Sequence, residues 1–504
     1  MRKIFYLLFC IIYFHSVNAQ LLINEYSAAN YDSYQDNYGE YEDWVEIYNS
    51  TANPIDINGY FITDKVSNLT KWQVPASFII PANDVGIIFC SGRDEVSGGF
   101  AHTNFKITQT KGNEVFIISD ASQVLLDSIS ISPNIESHST GRETNGSSTW
   151  SVFDNTTPTI ANIGAFERYA YTPVFSIPSG YYTGSAQVII TSSDPNVTIY
   201  YTTNGTRPDN TSTQYATPIT FTQTTVLKAI AYSSNPNILP SFIEYNTYFV
   251  DDTHTIPILS ISGEQVDNLL DGNGWIEPQG TVEYFSKDGI LIDKGMGEFN
   301  KHGNDSWAYD QRGFDYIMRD QFGYNYALKD KLFETKDRDR FQRIIVKAAA
   351  NDNYPESNGG AHIRDQYVHH LSQLADLRMD ERSYQSCIVY LNGNYWGVYD
   401  LREKADDHDF TDYYYDQDKN NLQYLKTWGG TWSEYGGAQA QTDWDNLKNY
   451  ITSNPMNIQA NYNTVKSQYN TGSLIDYFLL NSYVVCSDWL NWNTAWWRGM
   501  DPNG

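Results

Sequence analysis

Cysteine is scarce, with four in 504 residues. Cys10 lies in an apolar leader, which leaves Cys90, Cys387 and Cys486 spread over the rest of the chain. Three such residues make no disulfide framework, and their apolar neighbours predict buried free thiols. Basic residues are also few: 33 Lys and Arg face 60 Asp and Glu, for a net charge of −27. So negative a surface repels phosphate backbones and anionic lipid, so no nucleic-acid partner is expected. Long apolar runs are missing. Ile4 to Phe14 is too short for a membrane-spanning helix, which needs about twenty residues, and nothing later is longer. No transmembrane anchor is expected. Gly and Pro, 34 and 17, are too few for a collagen-like or low-complexity chain. Walker A, HExxH and GxSxG motifs are absent.

Aromatic residues are abundant, 15% of the chain with 40 Tyr and 13 Trp, so buried cores are expected and wholesale disorder is not. The length predicts about three domains. The first nineteen residues read as a signal peptide. Arg2 and Lys3 form a charged n-region, an apolar h-region follows, and Val17-Asn18-Ala19 is a small-residue cleavage site. The protein is therefore expected to be secreted, extracellular or at the cell surface.

Residues 20–165 read as all-β. Asp43 to Tyr48 alternates polar and apolar, and short β-rich runs at 85–90, 114–119 and 124–131 are separated by turn residues, as in a sandwich. The acidic loop Asp32, Asp36, Glu40, Glu42 and Asp43 has the oxygen ligands calcium needs, but a solvated loop is the favoured reading of such a charge run. Residues 168–252 are a second β unit, with strand-like runs at 188–190, 198–201, 219–221 and 226–229 and an Asn204-Gly205 turn. The opening Ile23-Asn24-Glu25, the Glu46-Ile47-Tyr48-Asn49 strand and the closing Gly141-Arg142, Trp150 and Thr157-Pro158 resemble a lamin-tail domain. Ile199 to Pro208 resembles the immunoglobulin-like module at the C-terminus of chitobiase and β-hexosaminidase enzymes, which implies spacing or carbohydrate contact rather than chemistry. Pro, Gly and polar residues near 165–172 and 250–256 predict separable modules.

Residues 255–504 change to α+β texture, so any catalytic site is expected there. Ile363, Tyr367, Leu371 and Leu374 form an apolar helical stripe, and a second helix near 473–485 carries Leu474, Phe478 and Val485 on one face. Asn392-Gly393-Asn394 joins two strands in a hairpin. Asp416-x-Asp418-x-Asn420 mimics an EF-hand loop but lacks its Gly and its closing Glu. His369-His370 lack a third zinc ligand and read as packing or surface residues. Asp488 and Asn493, five apart after an apolar helix, have the spacing of a kinase catalytic loop, a pattern that is weak by itself.

Lys347-Ala348-Ala349 with Asn351-Asp352, Ile363-Arg364-Asp365, the run Tyr390 to Tyr399 followed by Leu401-Arg402-Glu403-Lys404, and Asp476-Tyr477-Phe478 leading to Asp488-Trp489 resemble CotH-type secreted kinases. The resemblance implies an atypical protein-kinase-like domain at 255–504, behind two immunoglobulin-like β-sandwiches. It implies Mg²⁺- or Mn²⁺-dependent transfer of the ATP γ-phosphate to a protein Ser or Thr, with Asp488 as catalytic base and Asn493 as metal ligand. Gly303 and Ser306 fall in the implied phosphate-covering loop, and Arg312 takes the place of the phosphate-binding lysine. Arg364 and Asp365 open the helix whose acid orients that base, and Glu403 falls at the implied hinge against adenine. The strand pair that carries the family's second metal-binding Asp is not found between Asn493 and Gly504, so the domain is expected to be incomplete and inactive. The rival reading is a cell-surface binder of glycan or protein with an inactive kinase-like domain.

Overall fold

The structure is a computed structural model that describes residues 20–353, 359–406, 408–418, 421–489 and 491–501. The predicted signal peptide and Asn420 of the EF-hand-like run lie outside the described residues. Residues up to 168 form one compact unit and residues from 169 form another. The first is a β-sandwich of a seven-stranded and a four-stranded sheet. Leu21–Ser27 pairs antiparallel with both Trp44–Asn49 and Ser139–Arg142. The alternation read at 43–48 buries Val45 and Ile47 against Trp72, Phe116 and Ile118 of the facing sheet.

The second unit begins with a sheet in the order Gly180–Tyr182, Glu244–Val250, Thr225–Ser233, Val197–Thr202, Thr213–Gln214. It continues into a closed seven-stranded barrel. The barrel strands are β1 (Ile258–Ser262), β2 (Gln279–Phe285), β3 (Leu291–Lys301), β4 (Phe314–Met318), β5 (Arg343–Lys347), β6 (Tyr384–Leu391) and β7 (Asn394–Glu403). Their order is β1-β2-β3-β4-β5-β7-β6, and β6 closes on β1 in parallel. The predicted hairpin at Asn392-Gly393 joins β6 to β7, with both residues at positive φ as such a turn requires. The lumen is apolar, filled by Val282, Phe299, Phe314, Tyr316, Ile344, Val346 and Leu401 among others.

The segment between the two β units is not a loose linker. The rings of Phe249 and Phe285 lie 5.1 Å apart, and those of Phe249 and Tyr390 lie 5.0 Å apart. The ring of His254 shares a 2.8 Å hydrogen bond with the Tyr390 hydroxyl, and its backbone N–H donates to Tyr181. Buried Lys228 donates to the Ser262 carbonyl, and Ser179 donates to Glu283 of the barrel. Residues from 169 onward thus pack as one body, although composition alone reads 250–256 as a boundary.

Among the described residues six α-helices flank these strands: α1 (Val266–Leu270), α2 (Arg364–Leu374), α3 (His408–Tyr415), α4 (Gly437–Ser453), α5 (Gln459–Lys466) and α6 (Thr471–Tyr483). A three-stranded sheet completes the unit, with β8 (Leu422–Trp428) between β9 (Gly430–Tyr435) and β10 (Thr494–Gly499). The stripe predicted on α2 is real but faces outward. Ile363, Tyr367 and Leu374 are exposed and Leu371 is half-buried, while Gln366 and Ser372 are buried. The α6 stripe behaves alike: Leu474, Phe478 and Val485 are exposed, and Asp476 and Leu480 are buried. No helix among the described residues is long and apolar enough to cross a membrane.

Candidate functional site

In a barrel strand successive side chains alternate between lumen and outer wall. Phe314, Ile344, Val346 and Leu401 take the lumen, so Asp315, Ile345, Lys347, Asp400 and Arg402 take the wall. The register agrees: Asp315 lies opposite Ile345, Ile345 opposite Arg402, and Lys347 opposite Asp400. A polar patch therefore crosses β4, β5 and β7, and the polar face of α2 covers it.

Asp365, in the first turn of α2, is the centre of the patch. Its Oδ2 lies 2.5 Å from Lys347 Nζ and 2.8 Å from an Arg402 guanidinium nitrogen. Its Oδ1 is 3.8 Å from His369 Nε2, one helical turn on. Burial alone would raise the Asp365 pKa, but Lys347 and Arg402 outweigh it and hold the carboxyl well below the usual carboxylate range. Burial, reinforced by the same cations, pushes His369 down to about 4, so it is neutral at pH 7. Asp400 accepts from Ser386 and Gln366, which fastens α2 to β7. Asp352 caps the helix from outside, accepting from the backbone N–H of Ile363 and Arg364.

A second charged group extends the wall. His302 Nδ1 lies 2.7 Å from one oxygen of Asp315, and Lys404 Nζ lies 2.7 Å from the other. Lys404 also faces Asp406, which pairs with Arg382 at 3.2 Å and Lys426 at 3.0 Å. Lys426 leads to the predicted catalytic loop, because β8 pairs with β10 and Thr427 lies opposite Thr494, the residue after Asn493.

The structure brings Asp488 and Asn493 together: the Asn493 side-chain amide donates to Asp488 Oδ2 at 3.1 Å. Both are exposed, and Asn493 adopts a positive φ that closes the loop. On one side Trp489 packs on Phe478 at 5.3 Å, and on the other Trp492 meets Trp428 at 5.0 Å.

The remaining predicted residues are placed differently. Arg312 shares the parity of Phe314 and turns to the barrel mouth. There it donates to the carbonyls of Trp307 and Leu270. The cations beside Asp365 are Lys347 and Arg402. Glu403 shares the parity of Leu401 and points inward to Arg338 at 3.2 Å and the Tyr414 hydroxyl at 3.0 Å, so its side chain does not reach the outer wall. Arg364 is exposed and pairs with Asp352 at 2.9 Å. Gly303 is exposed at a φ of +93°, in the turn between β3 and the short helical turn that holds half-buried Ser306. It follows His302, so this loop borders the Asp315 end of the patch.

Sequence reading missed Lys347 and Arg402 as charged-site residues. Their signal is the run Asp400-x-Arg402-x-Lys404, three charges at strand period, which marks one face of a buried strand as polar. Among the described residues no three acidic, His or Cys side chains group as metal ligands. The acids of the loop 32–43 are spoken for: Arg93 pairs with Glu40 and approaches Asp36, Lys106 pairs with Glu42, and Ser137 binds Asp32.

The molecule is thus of a definite class: a mostly β multidomain protein with two N-terminal β-rich domains and a C-terminal part with helices. Comparison with known families sharpens this. Residues 15–133 match the Lamin Tail Domain, 177–238 the Chitobiase/beta-hexosaminidase C-terminal domain, and 300–503 the CotH kinase protein family. The three matches fall in the order the sequence motifs predicted. No curated relative matches the chain.

Proposed function

We propose that the C-terminal part is an atypical, exported protein kinase domain that transfers the ATP γ-phosphate to a protein Ser or Thr. The observation that carries this is the strand-to-helix ion pair of Lys347 with Asp365, in the same CotH-matched segment as the Asp488–Asn493 pair. A lysine held by an acid on a neighbouring helix presents one fixed positive charge to an anionic phosphate. Asp488 is exposed, open to an acceptor hydroxyl whose proton it takes as base. Asn493 donates to Asp488 and fixes its orientation, leaving its own carbonyl oxygen for a cation.

A single amide oxygen, that of Asn493, suits a Mg²⁺ ion that arrives with the nucleotide phosphates, not a resident ion with its own cage. When bound, such an ion neutralises charge on the phosphates. The lamin-tail and hexosaminidase-type modules serve as extracellular spacers in this reading. A signal peptide at 1–19 delivers the protein to the cell surface or beyond.

The test is thermal stabilisation by Mg·ATP followed by phosphate transfer to a mixed protein acceptor. Wild-type stabilisation is expected, and in a chain that carries out transfer Asp488→Ala should keep stabilisation while losing transfer. Failure of nucleotide to stabilise, with stabilisation by a glycan, supports the rival reading of a surface binder. The exposed Trp275, Trp428 and Trp432 favour that rival.

A further inference from the structure

The carboxylate of Asp365 has more positive charge around it than a single lysine–acid pair supplies. Lys347 and Arg402 meet the same oxygen. The two cations differ in access. The Lys347 side chain is 29% exposed, whereas that of Arg402 is 1% exposed. Arg402 reaches sideways from β7, with its second terminal nitrogen 3.7 Å from Asp400, and its Nε has no hydrogen-bond partner.

The helix that carries Asp365 has little else of apolar character to seat it. Its apolar residues Tyr367 and Leu374 are exposed, Val368 and Leu371 are only half-buried, and its fully buried residues are the polar Gln366 and Ser372. The hydrophobic term that fixes most surface helices is therefore weak here. Charge and hydrogen bonds hold α2 instead: Asp365 on Arg402 and Lys347, Gln366 on Asp400, and the cap from Asp352.

We propose that Arg402 is a positioning residue: it neutralises Asp365 from within the barrel wall and keeps α2 seated while Lys347 turns from Asp365 to an anionic phosphate. This rests on the kinase reading for the identity of the anion. An exposed cation that serves both acid and ligand must share itself between them. With Arg402 buried behind it, Asp365 keeps a counter-charge whichever way Lys347 points, and no charge is left buried and unpaired. Lys347 is then the ligand-facing charge, and Arg402 never touches the ligand.

The experiment is a double-mutant cycle on the full chain, read by amide exchange over 364–374 and by Mg·ATP affinity. Arg402→Met should speed exchange across α2 and weaken Mg·ATP by about tenfold, and Arg402→Lys should recover part of both. Asp365→Asn combined with Arg402→Met should bind Mg·ATP no more weakly than Asp365→Asn alone, because Arg402 acts through that carboxylate. Additive losses, or unchanged exchange in Arg402→Met, would overturn the proposal. If Arg402→Met does not fold, the cycle is run with Arg402→Lys, where the same non-additivity is expected and additivity overturns it. Should wild type bind no Mg·ATP, the kinase reading falls, and exchange over 364–374 in the same variants still decides whether Arg402 seats the helix.

Discussion

Buried carboxylates occur in the first β-sandwich and on the barrel wall, and they titrate in opposite directions. In the sandwich, Glu25 accepts from Ser139 and Thr157, and Glu46 accepts from Asn24 and the Thr159 backbone. No cation offsets their burial, which raises Glu25 and pushes Glu46 up to about 8. On the wall, burial also acts to raise Asp315, Asp365 and Asp406, but Asp365 and Asp406 each face two or more cations, Asp315 faces Lys404 and the ring of His302, and each ends below the ordinary range. Close basic partners make the difference. Glu403 has one guanidinium within 3.2 Å and Asp400 has one at 3.7 Å, and burial still raises both. Hydroxyl and amide donors are enough to build a structure. Of these two regions, the wall is the one whose buried acids meet close basic partners.

The largest expected effect comes from removing a cation from the wall. Lys404 binds Asp315 at 2.7 Å with both side chains mostly buried. Lys404→Met should cost about 3–5 kcal/mol, because it strands a buried acid. It should also bring the acid limb of unfolding to higher pH. Lowered carboxylates contribute stability above their unfolded pKa and lose it as pH falls through the folded value. Urea melts at pH 7 and pH 4 check both points, and a loss below about 1 kcal/mol at pH 7 would show that the wall charges are solvated, as for surface pairs.

The opposite sign is expected in the sandwich. Glu46 holds its proton in the fold up to about 8 and releases it near 4.5 when unfolded. Its contribution is therefore full below about 4.5 and is lost as pH rises to 8. Glu46→Gln should stabilise the first unit at pH 9 by about 2 kcal/mol, after the cost of one lost acceptor, and should do nothing at pH 4. Equal effects at the two pH values would mean that Glu46 is ionised throughout.

A smaller stability effect separates ligand-facing from wall-facing charge. Lys347 is partly exposed, so Lys347→Met should cost under about 1 kcal/mol in thermal melts. The same change should abolish stabilisation by Mg·ATP. A large loss of stability with nucleotide binding intact would exchange the roles given to Lys347 and Arg402.

How much of this was legible in the sequence follows from what each strand face touches. The lumen and the sandwich cores follow the period-2 pattern, so Val45, Ile47, Ile344 and Val346 are readable as core without a fold. The Asp488–Asn493 pair was readable because both lie on one short loop. The wall was not, since Lys347, Asp365 and Arg402 come from three separate elements. Period 3.6 found the α2 stripe but not which way it faces, because a polar barrel wall inverts the usual rule. Strand parity alone turns the Glu403 side chain toward Arg338 and Tyr414, whereas Arg312 lies in the turn before β4 and meets backbone carbonyls there. At 250–256 composition marks a connection between two sheets, and it does not show that Phe249 and His254 pack there against Tyr390 of the barrel.

The smallest effect belongs to the acidic loop at 32–43, which tests whether the first unit has a cation-binding region of its own. Asp36 is buried and accepts from the backbone N–H of Tyr38 and Glu40, so it shapes the loop from within. Glu42 takes both oxygens to Lys106 at 2.8 and 3.0 Å, with the lysine more than half exposed. A calcium ion would have to displace these partners and draw together carboxylates that now point to separate cations. Lys106→Ala should change stability by less than about 0.5 kcal/mol, as exposed pairs do, and calcium should leave the melting temperature of wild type and variant unchanged. A calcium-dependent rise in the Lys106→Ala variant alone would mean that the lysine stands in for a cation. The loop would then join the barrel wall as a place where charge, not hydroxyl and amide donors, organises the fold.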